Sequence, residues 1–286
     1  PTDFVLWKPS PDPLPGWNSP WGFGRPGWHL ECSAMSEKTL GLPFDIHSGG
    51  TDLIFPHHEN EIAQSCGAHQ KINDPQSFAK YWFHNGFVIV DGKKMSKSIG
   101  NIRLVHELIN NYSGEVLRLT LLSAHYRQPL NWAADSINQH STMLDHLYRA
   151  LKDLDKIEID NKTSDVPNNI MQALCDDLNT PKALAELNSL ANNISAANLS
   201  EKKKIKEEIL ATGKLLGILQ ENPDMWLGYG RSKSLDSKTI GDLINNRNEA
   251  RRDKNFTLAD SIRDKLKNKG IVIEDTKDGT IWRSIE

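Results

Sequence analysis

The sequence predicts three successive parts of different fold class: an α/β segment, an all-α helical bundle and a small α+β domain. The first part carries two short strand-like runs, one of them apolar without alternation, as in a strand covered on both faces. The middle part carries apolar residues spaced three and four apart, which is typical of amphipathic helices. The last part, 231–286, combines two basic helical stretches with an apolar run and a turn.

The α/β segment is expected to begin as a loop or extended approach, because six prolines interrupt residues 1–28: Pro9, Pro11, Pro13, Pro15, Pro20 and Pro26. A short helix over 28–35 follows. A strand over 44–47 then leads into Gly49-Gly50, and helix returns over 57–66.

The second expected strand, 86–90, ends at the turn signal Asp91-Gly92. Beyond Asn101 the spacing of apolar residues becomes helical, over 102–109 and 116–121. The sequence therefore predicts a helical connector between the α/β segment and the bundle.

Three helices are expected in the bundle. The first presents one apolar face, formed by Ile137, Leu144, Leu147, Tyr148, Leu151 and Leu154. After a polar linker over 155–166, Thr180-Pro181 predicts a helix start with Thr180 as N-cap and Pro181 at the first helical position. Another helix, 200–216, is expected to stop at Gly217.

The tail is separated from the bundle by a stretch over 222–236 that carries Gly, Pro and Ser. Helices over 239–252 and 257–269 are expected before a strand at 271–273 and a hairpin turn across 277–280. The expected domain boundaries are 1–100, 101–134, 135–221 and 222–286.

Composition describes an ordinary globular protein of 286 residues, 38% hydrophobic and 25% charged, with a net charge of -3. A disordered chain would have fewer apolar residues and a larger net charge. No apolar stretch approaches the roughly 18 residues of a membrane helix. Three scattered cysteines, Cys32, Cys66 and Cys175, argue against a disulfide-bonded secreted domain and favour a cytoplasmic location, as does the lack of a secretory signal.

The net charge conceals a gradient along the chain. Residues 1–133 carry 11 basic and 12 acidic residues, 134–230 carry 10 and 15, and 231–286 carry 13 and 10, which gives -1, -5 and +3. Eight of the ten histidines lie before residue 133. We therefore expect the chemistry in the first part, an acidic helical middle and a basic tail that is compatible with nucleic acid.

The first candidate site is a metal site formed by Cys32, His57 and Glu61. Residues 57 and 61 are i and i+4 on the expected helix, so both side chains project from one face and can close on one ion. Zinc accepts thiolate, imidazole and carboxylate, and three protein ligands with one open position are typical of a catalytic site. Two structural alternatives stay open: a lone cysteine is often a small buried hydrophobe, and a Glu-Asn-Glu run is usually a solvated face.

Two further candidates concern phosphate and ribose. Lys94-Met95-Ser96-Lys97-Ser98 leaves a strand, and its ammonium and hydroxyl groups suit phosphate oxygens, although a solvated basic turn is the alternative. Gly49-Gly50-Thr51-Asp52 also follows a strand. Its glycines admit a ligand to the backbone and its aspartate suits a ribose hydroxyl pair, although such a turn is otherwise an ordinary loop.

Taken in order, these motifs resemble the cysteinyl-tRNA synthetase family over essentially the whole chain. The matching segments are Gly27 to Met35 (GWHLECSAM), 47–53 (HSGGTDL), 55–61 (FPHHENE), 94–98 (KMSKS), 176–181 (DDLNTP), 250–251 (AR), 259–263 (ADSIR) and 279–283 (GTIWR). Each segment is common by itself, and the combination is highly specific.

The resemblance implies a class I aminoacyl-tRNA synthetase with a Rossmann-like catalytic domain, of which this chain holds the later portion. It implies activation of L-cysteine with ATP and Mg²⁺ and transfer of the cysteinyl group to the 3' end of tRNA(Cys). It also implies one Zn²⁺ per chain, held by Cys32, His57 and Glu61, which binds the substrate thiol. A zinc ion that prefers thiolate over hydroxyl would separate cysteine from serine without an editing domain.

Further roles follow from the resemblance. Lys94 and Lys97 fall on the catalytic loop that stabilises the reacting phosphates, Gly50, Asp52 and Lys97 on ATP-binding positions, and Trp28, His29 and His58 on the amino-acid pocket. Two family features have no counterpart in the 286 residues: the HIGH motif and a fourth zinc ligand, a cysteine. We therefore expect a fragment that does not adenylate by itself.

The remaining domains are assigned by the same resemblance as a stem-contact connector (101–134), a helical bundle (135–221) and an anticodon-recognition domain (222–286), in a protein that is a monomer. Candidate tRNA contacts in the tail are Arg247, Arg251, Arg252 and Trp282, because basic side chains and an aromatic ring suit single-stranded RNA. The alternative is a helix pair stabilised by its own charge pairs, such as those around Glu249.

Two other functions stay open. The related ligase that joins cysteine to an amino sugar in mycothiol synthesis shares the zinc site and the phosphate loop, but it lacks a tail like 231–286. An inactive RNA-binding remnant is compatible with the missing HIGH motif, but it would have no need of KMSKS and zinc ligands.

Overall fold

The structure is a computed structural model that describes residues 3–71, 74–159, 165–229, 234–276 and 279–284. The chain divides into two compact units. Unit 1 comprises Pro1–Ile99 with Tyr126–Asn131, and unit 2 comprises Gly100–His125 with Trp132–Glu286. Among the described residues no helix is both long and apolar enough to cross a membrane.

Unit 1 begins with a small antiparallel sheet of β1 (Trp7–Pro9) and β2 (Gly24–Pro26), within the region expected to be loop or extended. The amide of Gly27 then donates to the carbonyl of Leu6 at 2.8 Å. A Cβ on Gly27 would lie 1.9 Å from the carbonyl oxygen of Val5, so only glycine allows this close approach. Helix α1 (Trp28–Leu40) follows and is one turn longer than expected.

The centre of unit 1 is a parallel strand pair, β3 (Phe44–Gly50) and β4 (Ala79–Asn85), in register from Phe44 opposite Ala79 to Gly50 opposite Asn85. The crossover contains the irregular turn Ile54–His58 and helix α2 (Glu59–Ala68). The sequence did not predict β4. Its residues are mostly aromatic and polar and do not form an apolar run like the one at 86–90. A core of Phe44, Cys66, Phe78 and Ala79 fixes the strands against α2.

The expected strand at 86–90 belongs to a different sheet. Strand β5 (Val88–Val90) lies between β6 (Lys93–Lys94) and β7 (Leu130–Trp132). Only Val90 of β5 is fully buried, so the expectation of a strand covered on both faces was wrong. The β5–β6 turn is the predicted one: Asp91 and Gly92 have φ of 49° and 76°, as a two-residue hairpin turn requires.

Unit 2 is helical up to its final strand pair. Its helices are α3 (Val105–Leu108), α4 (Gly114–Leu122), α5 (Ala134–Asp153), α6 (Asn168–Cys175), α7 (Thr180–Asn192), α8 (Leu199–Leu216), α9 (Pro223–Trp226), α10 (Ser237–Arg252) and α11 (Phe256–Lys267). Two of them, α6 and α9, were missed because each is short; α6 follows the expected linker 155–166, and α9 lies within the stretch 222–236. Residues 160–164 and 230–233 of those linkers lie outside the described part of the chain.

Two helix ends test the capping predictions. Helix α8 ends at Gly217, which has the expected left-handed φ of 69°. At α7 the N-cap prediction was wrong: the Asn179 side chain accepts the Lys182 amide, so Asn179 is the cap. The Thr180 hydroxyl donates instead to the carbonyl of Leu122 at 2.7 Å.

A partly buried polar network fixes the end of the bundle. Glu115 on α4 accepts hydrogen bonds from the Tyr148 hydroxyl at 2.9 Å and from the amides of Leu219 and Gln220 at 2.8 and 2.7 Å. The Tyr148 oxygen in turn accepts the amide of Glu221 at 3.0 Å. The network therefore ties α4 and α5 to the segment that follows α8.

The tail packs α10 and α11 against a hairpin of β8 (Ile271–Thr276) and β9 (Gly279–Ser284). Its apolar core consists of Ile240, Ile244, Ile262, Leu266 and Ile271. The expected hairpin is present, although its turn residues 277–278 lie outside the described residues.

Candidate functional site

The candidate site in unit 1 forms where β3 and β4 end together. Parallel strands end at the same edge of a sheet, and a crossover helix that starts at that edge points its first turn into the same space. Helix α1 brings Trp28, His29 and Cys32, the turn before α2 brings His57 and His58, and α2 brings Glu61. The structure therefore places all six of these predicted residues in one region.

The three predicted metal ligands converge. The thiol sulfur of Cys32, an imidazole nitrogen of His57 and a carboxylate oxygen of Glu61 lie within 4.8 Å of one another. Glu61 is fully buried and His57 is 5% exposed. Another group, His47, His58 and Glu61, meets the same distance criterion, so Glu61 belongs to both.

The carboxylate of Glu61 is only half satisfied. Its Oε2 lies 2.6 Å from Nε2 of His47 in a hydrogen bond. Its Oε1 lies 2.7 Å from Nε2 of His57, yet the geometry is not that of a hydrogen bond, and this buried oxygen has no hydrogen-bond partner among the described residues. A buried polar atom that makes no hydrogen bond costs about 1–3 kcal/mol. A cation shared by Glu61, His57 and Cys32 would satisfy this oxygen, and sulfur, nitrogen and oxygen together are a donor set that zinc accepts.

The pKa shifts in the site follow from burial and from the charges of neighbouring side chains. Burial raises the pKa of the Cys32 thiol, and the adjacent Glu61 carboxylate raises it further. Burial lowers the pKa of His57. Burial also opposes ionisation of Glu61, but the hydrogen bond to His47 and the charges of His57 and His47 outweigh it, so the pKa of Glu61 is lowered. A bound cation would reverse the shift at Cys32, because it favours the thiolate.

His29 and Trp28 hold the imidazole of His57. Nδ1 of His29 lies 2.6 Å from Nδ1 of His57. If His57 donates in this contact, its Nε2 carries the lone pair that a metal requires. The ring of Trp28 stacks on His57 with centroids 4.4 Å apart, although Trp28 itself is 61% exposed. These two residues therefore support a ligand and also line the opening above it.

Sequence reasoning missed two histidines of the site, His47 on β3 and His84 on β4. Nδ1 of His58 lies 2.8 Å from Nε2 of His84. Burial, and next the charge of His47, lower the pKa of His58 to about 4. A Cβ on Gly49 would lie 3.0 Å from the His58 ring, a close contact that would require the ring to shift. The available signal for His47 was its position two residues before Gly49-Gly50 at a strand end.

The predicted phosphate residues lie on other elements of unit 1. Lys94 ends the β5–β6 hairpin and places its Nζ 4.4 Å from the centre of the Phe87 ring. Lys97 is exposed in the turn that follows, where the Ser96 hydroxyl accepts the amide of Ile99 at 3.3 Å. Gly50 ends β3, and the exposed Asp52 lies in the short turn after it. A Cβ on Gly50 would approach within 2.6 Å of the Asp52 carboxylate.

The predicted RNA contacts in the tail differ in their exposure to solvent. Arg247 is 7% exposed, and its guanidinium makes two hydrogen bonds of 2.9 Å to the carboxylate of Asp275. Arg251 donates to the same carboxylate at 2.5 Å, and Trp282 is half-buried against the apolar core. Arg252 has a side chain that is 75% exposed, whereas Arg247 is buried in its ion pair with Asp275. The tRNA contacts stay predictions.

Comparison with known proteins places each part of the chain. Residues 1–142 match the family model described as "tRNA synthetases class I (C) catalytic domain", 169–220 match the DALR domain, and 237–283 match the "Cysteinyl-tRNA ligase anticodon binding domain". Fold, site and matches together define the class: the chain carries the catalytic and helical parts of a class I aminoacyl-tRNA synthetase.

Curated relatives give the family. The Cysteine–tRNA ligases of Rhodospirillum rubrum and Maricaulis maris are each 52% identical over 287 residues, covering 99% and 100% of this chain and 61% of each relative. That of Parvibaculum lavamentivorans is 50% identical and is covered to 60%. The chain belongs to the cysteinyl-tRNA synthetase family and spans about three-fifths of the length of these relatives.

Solved structures align more distantly. The LeuRS of Agrobacterium radiobacter K84, in a ternary complex, aligns over 71% of this chain and 32% of its own, with a TM-score of 0.49 and 17% identity. The arginyl-tRNA synthetase of Thermus thermophilus aligns over 73% and 52%, with a TM-score of 0.45 and 11% identity. Alignments at this level carry no further conclusion.

Proposed function

We propose that the protein carrying this chain is a cysteine–tRNA ligase. It activates L-cysteine with ATP and Mg²⁺ to cysteinyl-adenylate and transfers the cysteinyl group to the 3' end of tRNA(Cys). The observation that supports this most directly is the convergence of Cys32, His57 and Glu61 within 4.8 Å, with the buried Oε1 of Glu61 left without a hydrogen bond. These residues hold one Zn²⁺, which supplies an open position for the substrate thiol when it is bound.

The chain's own residues then prepare the site for cysteine. His29 fixes the ring of His57, and Trp28 covers that ring at the opening. His58 is 4% exposed and stays uncharged near neutral pH, because its pKa lies at about 4. The pocket proposed for the amino acid thus contains the uncharged rings of Trp28 and His58, and the Glu61 carboxylate is buried beside His57.

The phosphate-binding residues act in a different way. The ammonium groups of Lys94 and Lys97 stabilise charge that develops on the α-phosphate and the leaving pyrophosphate, without serving as acid or base. Gly50 and Asp52 bind the adenosine, with the aspartate on the ribose hydroxyls. In the tail we retain Arg251, Arg252 and Trp282 as tRNA contacts and assign Arg247 to their positioning. Cytoplasmic location and a monomeric state belong to the same proposal.

The match of residues 237–283 to an anticodon binding domain favours the tRNA ligase over the amino-sugar ligase and over a remnant. Charging of tRNA(Cys) with cysteine by the protein that carries this chain tests the proposal, with a cysteine-accepting amino sugar as the competing substrate. Cysteine-dependent ATP–pyrophosphate exchange without tRNA charging would favour the amino-sugar ligase. Absence of both would favour the remnant.

The metal part of the proposal has its own test on the 286 residues. Zinc content measured on the purified chain should fall in Cys32→Ser and Glu61→Gln, because each removes one donor from the converging group. Cys175→Ser is the matched control, since Cys175 is exposed and lies in unit 2. Equal zinc content in Cys32→Ser and in the control would contradict the assignment of Cys32 as a zinc ligand.

A further inference from the structure

The hairpin that carries Lys94 places an aromatic ring under its ammonium group. In the β5–β6 register Ile89 lies opposite Lys94 and Val90 opposite Lys93. Cross-strand partners share a face, and residues two apart on a strand share it too, so Phe87, Ile89 and Lys94 lie on one face and Lys93 on the other. The Nζ of Lys94 lies 4.4 Å from the centre of the Phe87 ring.

The backbone around this ring is anchored on both sides. The carbonyl of Phe87 accepts the amide of Leu130 at 2.9 Å, and the amide of Gly92 in the turn donates to the side chain of Asn131 at 3.1 Å. Phe87 is half-buried, whereas Lys94 is exposed. The ring is therefore the partly buried partner of the contact and the lysine is the exposed one.

We propose that Phe87 is a positioning residue that holds the ammonium of Lys94 where the phosphates of the nucleotide bind. This inference rests on the proposed function, in which Lys94 stabilises those phosphates. A ring face attracts the charge of an ammonium group but accepts no strong hydrogen bond, so this contact restricts the lysine stem and does not itself occupy an N–H donor. The ring thus acts through Lys94 and does not touch the substrate.

The magnitude follows from exposed cation–π contacts, which raise the population of the held conformation about 2- to 5-fold. Phe87→Leu should therefore lower kcat/KM for ATP in ATP–pyrophosphate exchange by about that factor and leave KM for cysteine unchanged. Phe87→Tyr keeps a ring face and should retain wild-type values. A purely structural role for Phe87 would instead be served as well by leucine as by tyrosine, or would damage both substrates equally.

The contact itself is tested by NMR on the 286-residue chain after reductive ¹³C-methylation, which keeps the lysines charged. Lys94→Arg identifies the Lys94 signal. A ring current should shift this signal upfield in the wild type and in Phe87→Tyr, and Phe87→Leu should return it to the position of exposed lysines. Lys93, on the opposite face, is the internal control and should not move. An unshifted Lys94 signal in the wild type overturns the proposal.

The functional link is tested by a double-mutant cycle in the protein that carries this chain. In a Lys94→Met background, Phe87→Leu should have no further effect on kcat/KM for ATP, because nothing is left to position. An equal loss with and without Lys94 overturns the proposal. If the wild type shows no exchange at all, the proposed function fails, and the NMR experiment still decides whether the ring holds the ammonium.

Discussion

Asp275 carries the ion-pair network of the tail, and its removal is expected to loosen the packing of α10 on the hairpin. The carboxylate receives both ends of the Arg247 guanidinium, one donor of Arg251 and the hydroxyl of Thr280 at 2.8 Å. Arg247 is 7% exposed, so water cannot replace its partner. Asp275→Ala therefore leaves a nearly buried cation without its counter-charge.

The cost of this change follows from the exposure of the two partners. Removal of one member of a fully buried ion pair costs about 3–5 kcal/mol, whereas an exposed pair contributes about 0–1 kcal/mol. The Asp275 side chain is 44% exposed and that of Arg247 is 8% exposed, so we expect about 2–3 kcal/mol. Asp275→Asn keeps an acceptor for one donor and should cost about half as much.

Hydrogen exchange measured by mass spectrometry on the whole chain is the suitable assay, because two compact units need not unfold together. Protection in α10 and β8 should fall about 30- to 150-fold in Asp275→Ala. Glu249→Gln is the control, because it breaks an ion pair with Arg252 whose side chains are 62% and 75% exposed. Protection that falls no further in Asp275→Ala than in the control would refute the idea that Asp275 compensates a buried charge.

Three other changes test the fold. The arginines hold the pKa of Asp275 well below its usual range, so the stabilisation by Asp275 is complete above about pH 4 and is lost as the pH falls further. The melting temperatures of the wild type and of Asp275→Asn should therefore converge as the pH is lowered below that value. Tyr148→Phe should destabilise unit 2 by about 1–2 kcal/mol in urea unfolding, because the Glu221 amide loses its acceptor, whereas Tyr81→Phe, at a side chain that is 69% exposed, should change nothing. Gly217→Ala should cost about 1 kcal/mol at its left-handed φ of 69°, with Arg118 only 3.1 Å from the new Cβ, whereas Gly114→Ala meets nothing within 4 Å; similar melting temperatures for the two would contradict the assigned strain.

The convergence of Cys32, His57 and Glu61 was predictable because it depends on residue types at helical spacing. His57 and Glu61 are i and i+4, and the chain between them is close enough to helical that the spacing holds even though α2 begins only at Glu59. His47 and His84 were not predictable in this way. They meet the site through the register of β3 and β4, with His47 opposite Trp82 and Gly49 opposite His84, and strand register is a long-range property.

Arg247 illustrates the opposite limit of sequence reasoning. In the sequence it is one of several basic residues on a helix, and nothing local separates it from Arg252. The difference arises because Asp275, 28 residues later, returns on β8 to the face that Arg247 presents. A cluster of basic residues therefore predicts a basic surface well. It predicts individual RNA contacts poorly, because any residue of the cluster can form an ion pair with an acidic residue distant in sequence.

The return of the chain to unit 1 limits where this protein can be divided. Residues 126–131 belong to unit 1, although they follow two helices of unit 2. They supply most of β7, the Leu130 amide that binds Phe87 and the Asn131 side chain that binds the hairpin turn. A truncated chain that stops at residue 100 would keep every predicted ligand and both KMSKS lysines and yet expose the edge of β5. Limited proteolysis between residues 100 and 125, by contrast, should leave the two pieces associated until they are denatured.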